Sequence, residues 1–144
     1  MNSIDILVVE DNDDDIVLIQ EAFAEGKLIN RISCVRDGEE AMAFLRKEGA
    51  YAGAPSPGMV LLDINMPKKN GFEVLADIKA DSRLRALPVI MLTVSDREED
   101  IVRSFEQGAC SYIRKPVTLT RFIAVVKEFQ LYWSLVSRVP TVHG

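Results

Sequence analysis

VLLDINMPKKNG, residues Val60 to Gly71, opens like the inside of a protein and ends like its surface. With Met59 in front, the run to Leu62 is a short apolar stretch of the kind that forms a buried strand. The next residue is a carboxylate, Asp63, and after it come Pro67, the pair Lys68 and Lys69, and Gly71. Asp63 to Pro67 could be an ordinary turn. The flanking sequence decides what a charge at the end of a core strand is for.

Outward from this stretch the apolar period switches repeatedly between strand and helix. IDILVV (4–9) is a short apolar run, and DNDDDIVLIQEAFAEG (11–26) carries Ile16, Ile19 and Phe23 on one helical face, with acids in its first turn and Gly26 as its stop. RISCV (31–35) predicts a second strand. DGEEAMAFLRKEG (37–49) predicts a helix with Asp37 and Glu40 at capping-box spacing, closed by Gly49. MVLLD (59–63) is the third strand, and GFEVLADIKA (71–80) is a helix with Val74, Leu75 and Ile78 on one side. PVIMLT (88–93) is a fourth strand, followed by the helix DREEDIVRSFEQG (96–108). CSYIR (110–114) is a fifth strand, and LTRFIAVVKEFQLYW (119–133) a last helix.

Strands alternating with helices predict an α/β fold, a parallel sheet covered by helices on both faces. Right-handed crossovers leave few topologies, and five strands suit the doubly wound, flavodoxin-like order 2-1-3-4-5 best. One connection is long: GAYAGAPSPG (49–58), read as an ordered surface excursion because strands continue on either side.

Composition narrows the function classes. The 144 residues, 48% of them hydrophobic, suit one globular domain, expected over residues 1–137, with a mobile tail at 138–144. A net charge of -5 disfavours duplex nucleic acid as a partner. The start lacks a basic region ahead of its apolar run, and no stretch approaches the roughly twenty apolar residues of a spanning helix. The expectation is a cytoplasmic protein with no membrane partner. Cys34 and Cys110 lie in apolar-rich segments without C-x-x-C spacing, and are expected as buried free thiols. The single histidine, His143, leaves little basis for histidine-driven chemistry.

In such a sheet all strands point their carboxyl ends to one edge, where ligands bind at the topological switch point. The first strand ends in Glu10 and Asp11, the third in Asp63, the fourth in Thr93, and the fifth in Lys115 followed by Pro116. The first and third are neighbours at the switch point, so three carboxylates converge. Their repulsion calls for a cation, and the expectation is Mg²⁺ with its preference for oxygen ligands. Lys115 adds a positive charge and Thr93 a hydroxyl, and the set reads as a phosphoryl-transfer site with a carboxylate as nucleophile. Singly, each has a plainer reading: Asp11 as a helix cap or first-turn acid, Ser95 as the cap of the fourth helix, Lys115 as an exposed strand-end lysine. The joint placement favours the site.

VVEDN, LLDINMP..NG, VIMLT and YIRKP, in that order over nearly the whole chain, resemble the receiver domain of two-component response regulators. The resemblance implies that Asp63 accepts a phosphoryl group from the phosphohistidine of a sensor histidine kinase. It implies that Glu10, Asp11, Asp63 and the backbone carbonyl of Asn65 bind Mg²⁺. Thr93 and Lys115 match the family's switch hydroxyl and lysine, Lys115–Pro116 its cis peptide, and Tyr112 the aromatic that turns inward when Thr93 moves. Met66-Pro67 and Gly71 match the turn after the acceptor, where proline fixes φ and glycine frees it. The protein is then a switch rather than a turnover enzyme. The alternative is a metal-dependent phosphohydrolase of similar topology, which typically has a second acid two residues after the nucleophile; here that residue is Asn65. A nucleotide- or flavin-binding module is disfavoured, since neither glycine-rich phosphate motif is present.

FLRKEGAYAGAPSPGMVLLDINMPKKNGFEVL is similar to the stand-alone regulators that serve bacterial and cyanobacterial phytochromes. That implies a phytochrome-type kinase and output through surface contacts rather than a fused domain. Val94 departs from the small residue usual after the switch hydroxyl, and is expected to slow hydrolysis of the acyl phosphate. On the last helix Leu119, Phe122, Ile123, Val126, Phe129 and Trp133 form one apolar stripe at about 100° per residue. Val125, Tyr132 and Val136 fall beside it, and Leu131 and Leu135 on the far side. This surplus predicts a homodimer through the face of the fourth helix, fifth strand and fifth helix.

Overall fold

In a computed structural model of the protein, the residues described are 5–25, 31–66, 68–94, 97–118, 120–122 and 124–125. Five strands form one parallel sheet: β1 (Ile6–Val9), β2 (Ile32–Val35), β3 (Met59–Asp63), β4 (Val89–Thr93) and β5 (Ser111–Arg114). Between them run α1 (Asp13–Glu25), α2 (Gly38–Arg46), α3 (Gly71–Ala80) and α4 (Glu98–Glu106). The strand order is β2-β1-β3-β4-β5, as the sequence predicts.

Alternation along each strand builds two cores, one on each face. Leu7, Val9, Val60, Leu62, Val89 and Met91 pack against α2 and α3 through Phe44, Leu45, Val74, Leu75 and Ile78. Ile6, Val8, Met59, Leu61, Ile90, Leu92 and Ile113 pack with Ile19 and Phe23 of α1 and with Phe122. Phe23 and Phe122 meet at 4.5 Å. Each such fully buried side chain contributes roughly 1.5–3 kcal/mol by leaving water, which offsets the crowding of like charges at one edge of the sheet.

The helix ends are set locally. Asn12 accepts from the Asp15 amide at 3.0 Å and so caps α1; Asp11, read singly as a cap, does not. Asp37 caps α2 by accepting from the Glu40 amide at 2.8 Å. Glu40 reaches back to the amide of Arg36 at 3.2 Å, one residue before the cap itself. The helix stops at Lys47, which takes the left-handed conformation (φ 56°), and Gly49, expected to close it, has a positive φ two residues later, at 57°. Asn70 and Glu73 form a complete capping box on α3. Ser95, expected as the cap of the fourth helix, and Gly26 lie outside the described residues.

The 49–58 excursion is ordered. A 3₁₀ turn at Gly49–Tyr51 is followed by Ala54 donating to the Tyr51 carbonyl at 3.0 Å. Tyr51 stacks obliquely on Phe44 at 5.3 Å, and the Gly58 amide returns to the Asp5 carbonyl at 2.8 Å, beside the start of β1. Both cysteines, expected to be buried, are exposed. Cys34 is on β2 and Cys110 just before β5, the two edge strands, where the sheet has no neighbour to cover them. Among the described residues no helix is long and apolar enough to cross a membrane.

Candidate metal and phosphoryl site

The ladder fixes which strand ends meet. Val9 pairs with Leu62, so Glu10 and Asp63 follow on the next rung of adjacent strands. Glu10 continues the alternation of Ile6 and Val8, Asp63 that of Met59 and Leu61, and Lys115 that of Ile113, all of which line the α1 face. Glu10 and Asp63 are buried, at 0% and 3% exposure. Each uses one carboxylate oxygen in the same way, accepting from the amide two residues on: Asn12 to Glu10 Oε2 at 3.2 Å, Asn65 to Asp63 Oδ1 at 3.3 Å. The other oxygen of each faces Lys115 Nζ, at 2.7 Å from Glu10 Oε1 and 3.4 Å from Asp63 Oδ2. Glu10 Oε1 has this ion pair without an aligned hydrogen bond, a buried oxygen still open to a further ligand.

Glu10, Asp11 and Asp63 each offer one oxygen, and the three lie within 4.8 Å of one another. Asp11 is the exposed member, and Arg36 Nη1 donates to its backbone carbonyl at 3.4 Å. The charges disturb one another. Burial, reinforced by the Asp63 charge and opposed by Lys115, pushes the Glu10 carboxyl up to about 7. Burial also raises Asp63, with Lys115 pulling the other way. Burial alone would lower Lys115, but its close pairing with the Glu10 and Asp15 carboxylates outweighs that and holds the ammonium above its ordinary value. The carboxylates thus share too few positive charges. Three clustered carboxylates, two of them buried and raised, suit a hard divalent cation.

Lys115 has a third partner. Asp15, in the first turn of α1, accepts a hydrogen bond from Nζ at 2.9 Å. The sequence showed Asp15 only as a helix-dipole acid, because nothing in a strand-end pattern signals a residue on the crossing helix. Arg36, just past the end of β2, was also missed, because an arginine beside an edge strand gives no sign of its reach to the Asp11 carbonyl.

Thr93, 2% exposed, ends β4, and its carbonyl accepts from the Lys115 amide at 2.7 Å. The Lys115–Pro116 peptide is cis. Tyr112 is half-buried, pairs in register with Met91, and meets Phe105 of α4 edge-on at 5.9 Å. Thr93 lies two residues beyond Met91, so by alternation Thr93 and Tyr112 share one face of the sheet. In the turn after Asp63 the glycine has a different task from the one expected. Lys68, not Gly71, takes the positive φ, at 66°. Gly71 is required for space: a Cβ there would stand 2.4 Å from the Asp63 carbonyl oxygen. Pro67 lies outside the described residues.

A doubly wound sheet with an acidic pair, a third buried carboxylate, a hydroxyl and a lysine along one edge is receiver architecture. The chain belongs to the response regulator receiver domain family, matched over residues 6–127. It is 39% identical over 128 residues to response regulator Rcp1 from Synechocystis sp., covering 89% of this chain and 87% of Rcp1. The Mn(2+)-bound form of Rcp1 superposes with a TM-score of 0.77 at 38% identity, over 90% of this chain and 94% of that one. The phosphorylated cyanobacterial phytochrome response regulator RcpA gives a TM-score of 0.79 at 44% identity, over 97% and 100% of the two chains. A probable methanogenesis regulatory protein, FilR2 of Methanothrix harundinacea, is 41% identical over 136 residues, 94% of this chain and 86% of its own length.

Proposed function

We propose that the protein is a phosphorylation switch that accepts a phosphoryl group on Asp63 from the phosphohistidine of a sensor histidine kinase. The observation that carries this is the pairing of Asp63 Oδ2 with Lys115 Nζ at 3.4 Å, in a pocket whose other buried acid, Glu10, is one rung away. An Asp63 oxygen bonds to phosphorus as the bond from the donor imidazole nitrogen breaks, and the released imidazole takes up a proton from solvent. Glu10, Asp11, Asp63 and the backbone carbonyl of Asn65 would hold Mg²⁺, which when bound neutralises charge on the phosphoryl oxygens. Lys115 meets the oxygens it leaves. The Mn(2+)-bound structure of Rcp1 supports a divalent site in such a pocket.

Thr93 and Tyr112 carry the signal in this reading: Thr93 moves toward the phosphoryl group and Tyr112 fills the space behind it. Their common sheet face, and the contact of Tyr112 with half-exposed Phe105, support a route to the α4 surface. Likeness to RcpA supports a phytochrome-type kinase, although FilR2 is comparably similar. Self-association belongs to the same reading. Val102 and Phe105 of α4 are exposed, while Leu119, Ile123 and residues from Val126 onward, Tyr132 and Val136 included, lie outside the described residues.

The test is phosphotransfer from purified sensor kinases of the same cell, phytochrome-type and others, ranked by initial rate. Labelling should need Mg²⁺, stop near one phosphoryl group per chain, and vanish in Asp63→Asn. Undiminished labelling of that variant would sink the assignment, and a faster non-phytochrome kinase would replace the partner.

A further inference from the structure

The phosphoacceptor reading uses two of the three carboxylates around Lys115 and leaves Asp15 without a part. Yet Asp15 takes the hydrogen bond from Nζ, at 2.9 Å, while Asp63 stands at 3.4 Å. Both backbones are fixed. The Asp15 amide is bound by Asn12 at the start of α1, and the Lys115 amide by the Thr93 carbonyl. The Lys115 side chain is 8% exposed and that of Asp15 22%, so the pair is poorly screened by water.

We infer that Asp15 is a positioning residue for Lys115, drawing its ammonium toward α1 and away from Asp63. The inference rests on the phosphoacceptor reading of Asp63. An ammonium has three protons and divides them among the nearest acceptors. While Asp15 holds one, Glu10 and Asp63 are freer to take a cation. When Asp63 carries a phosphoryl group, that group and Asp15 compete for the same ammonium.

Loss of the Asp15 charge therefore acts in opposite directions on two ligands. Lys115 settles on Glu10 and Asp63 and competes with Mg²⁺, so cation binding weakens. An anion on Asp63 no longer competes with Asp15 for Lys115, so anion binding strengthens. A variant that merely loosened the fold would weaken both.

The experiment measures Mg²⁺ affinity by calorimetry, and binding of beryllofluoride, a mimic of aspartyl phosphate, at saturating Mg²⁺ by ¹⁹F NMR. Asp15→Asn should weaken Mg²⁺ roughly three- to tenfold and tighten beryllofluoride by a similar factor, the scale of one partly screened charge pair. Asp15→Glu should stay nearer the parent protein in both. In a Lys115→Met background, Asp15→Asn should shift Mg²⁺ affinity less than about twofold, since its effect runs through the lysine. Equal effects with and without Lys115, or weakening of both ligands, overturn the inference. Asp63→Asn separates the two readings. Beryllofluoride binding that persists there removes the acceptor role, while its loss alongside an additive Asp15 effect removes only the positioning role.

Discussion

The amide of Lys115 donates to the carbonyl of Thr93 across 2.7 Å, so the lysine and the hydroxyl residue of the site are joined through one strand-end link. The link ties the two strand ends together, and the proposed switch acts through their side chains.

For Thr93 this predicts a separation of chemistry from signalling. Thr93→Ala should be phosphorylated at a rate within about threefold of the parent, because the variant keeps the backbone link and the nucleophile. Its Tyr112 should not respond. A ¹⁹F label on Tyr112 should shift on beryllofluoride addition in the parent and stay still in Thr93→Ala; an unchanged shift in the variant removes the coupling.

Asp63→Asn should be more stable than the parent without metal. The pocket holds Glu10, Asp11, Asp15 and Asp63 against one lysine, and Lys115 keeps Glu10 and Asp15 when Asp63 is neutralised. Relief of repulsion should add about 1 kcal/mol in urea unfolding with chelator present. A less stable variant would mean that the Lys115–Asp63 pair outweighs the repulsion.

The raised Glu10 sets a pH dependence. Its carboxyl lies at about 7 in the fold against an ordinary 4.5. Between these values the folded state keeps a proton that the unfolded chain has lost, so stability without metal falls as pH rises from about 4.5 to about 7. The fall should be on the order of 1–3 kcal/mol. Asp63, also raised by burial, steepens its lower part. Urea titrations at stepped pH should show this with chelator and a flatter profile with saturating Mg²⁺.

Gly71→Ala should cost about 1–3 kcal/mol, because its methyl group meets the Asp63 carbonyl oxygen and not flexible side-chain atoms. Acyl-phosphate labelling should slow with it as Asp63 is displaced. Lys68→Gly, at the residue with positive φ, should be neutral or stabilising when both variants are compared with the parent by thermal melting.

Val94 is 63% exposed just past the end of β4. Replacement by alanine should speed loss of the phosphoryl group a few-fold, about 1 kcal/mol of barrier. Decay of the labelled protein at constant Mg²⁺ measures it, and an unchanged rate would mean that Val94 leaves the path of water open.

The sheet was legible because each strand is a short apolar run closed by a turn, and the alternation with helices leaves few topologies. The edge residues Glu10, Asp11, Asp63, Thr93 and Lys115 were legible because strand ends are countable. What escaped depends on distance rather than order. Asp15 reaches Lys115 from 100 positions away along the chain. Lys47 and Lys68 adopt left-handed backbones that residue type does not advertise. The cysteines looked buried because apolar neighbours say nothing of whether a strand lies at the margin of its sheet.

The 49–58 excursion enters β3 at the end of the strand remote from Asp63, and a Cβ on Gly53 would touch nothing within 4 Å. Its anchors, Tyr51 and Ala54, stand on either side of that point. A short epitope or dye-bearing peptide spliced in at Gly53 would therefore dangle from the rear of the molecule. It offers a handle by which the protein could be tethered or watched while the opposite rim, with Asp63 and Lys115, stays clear.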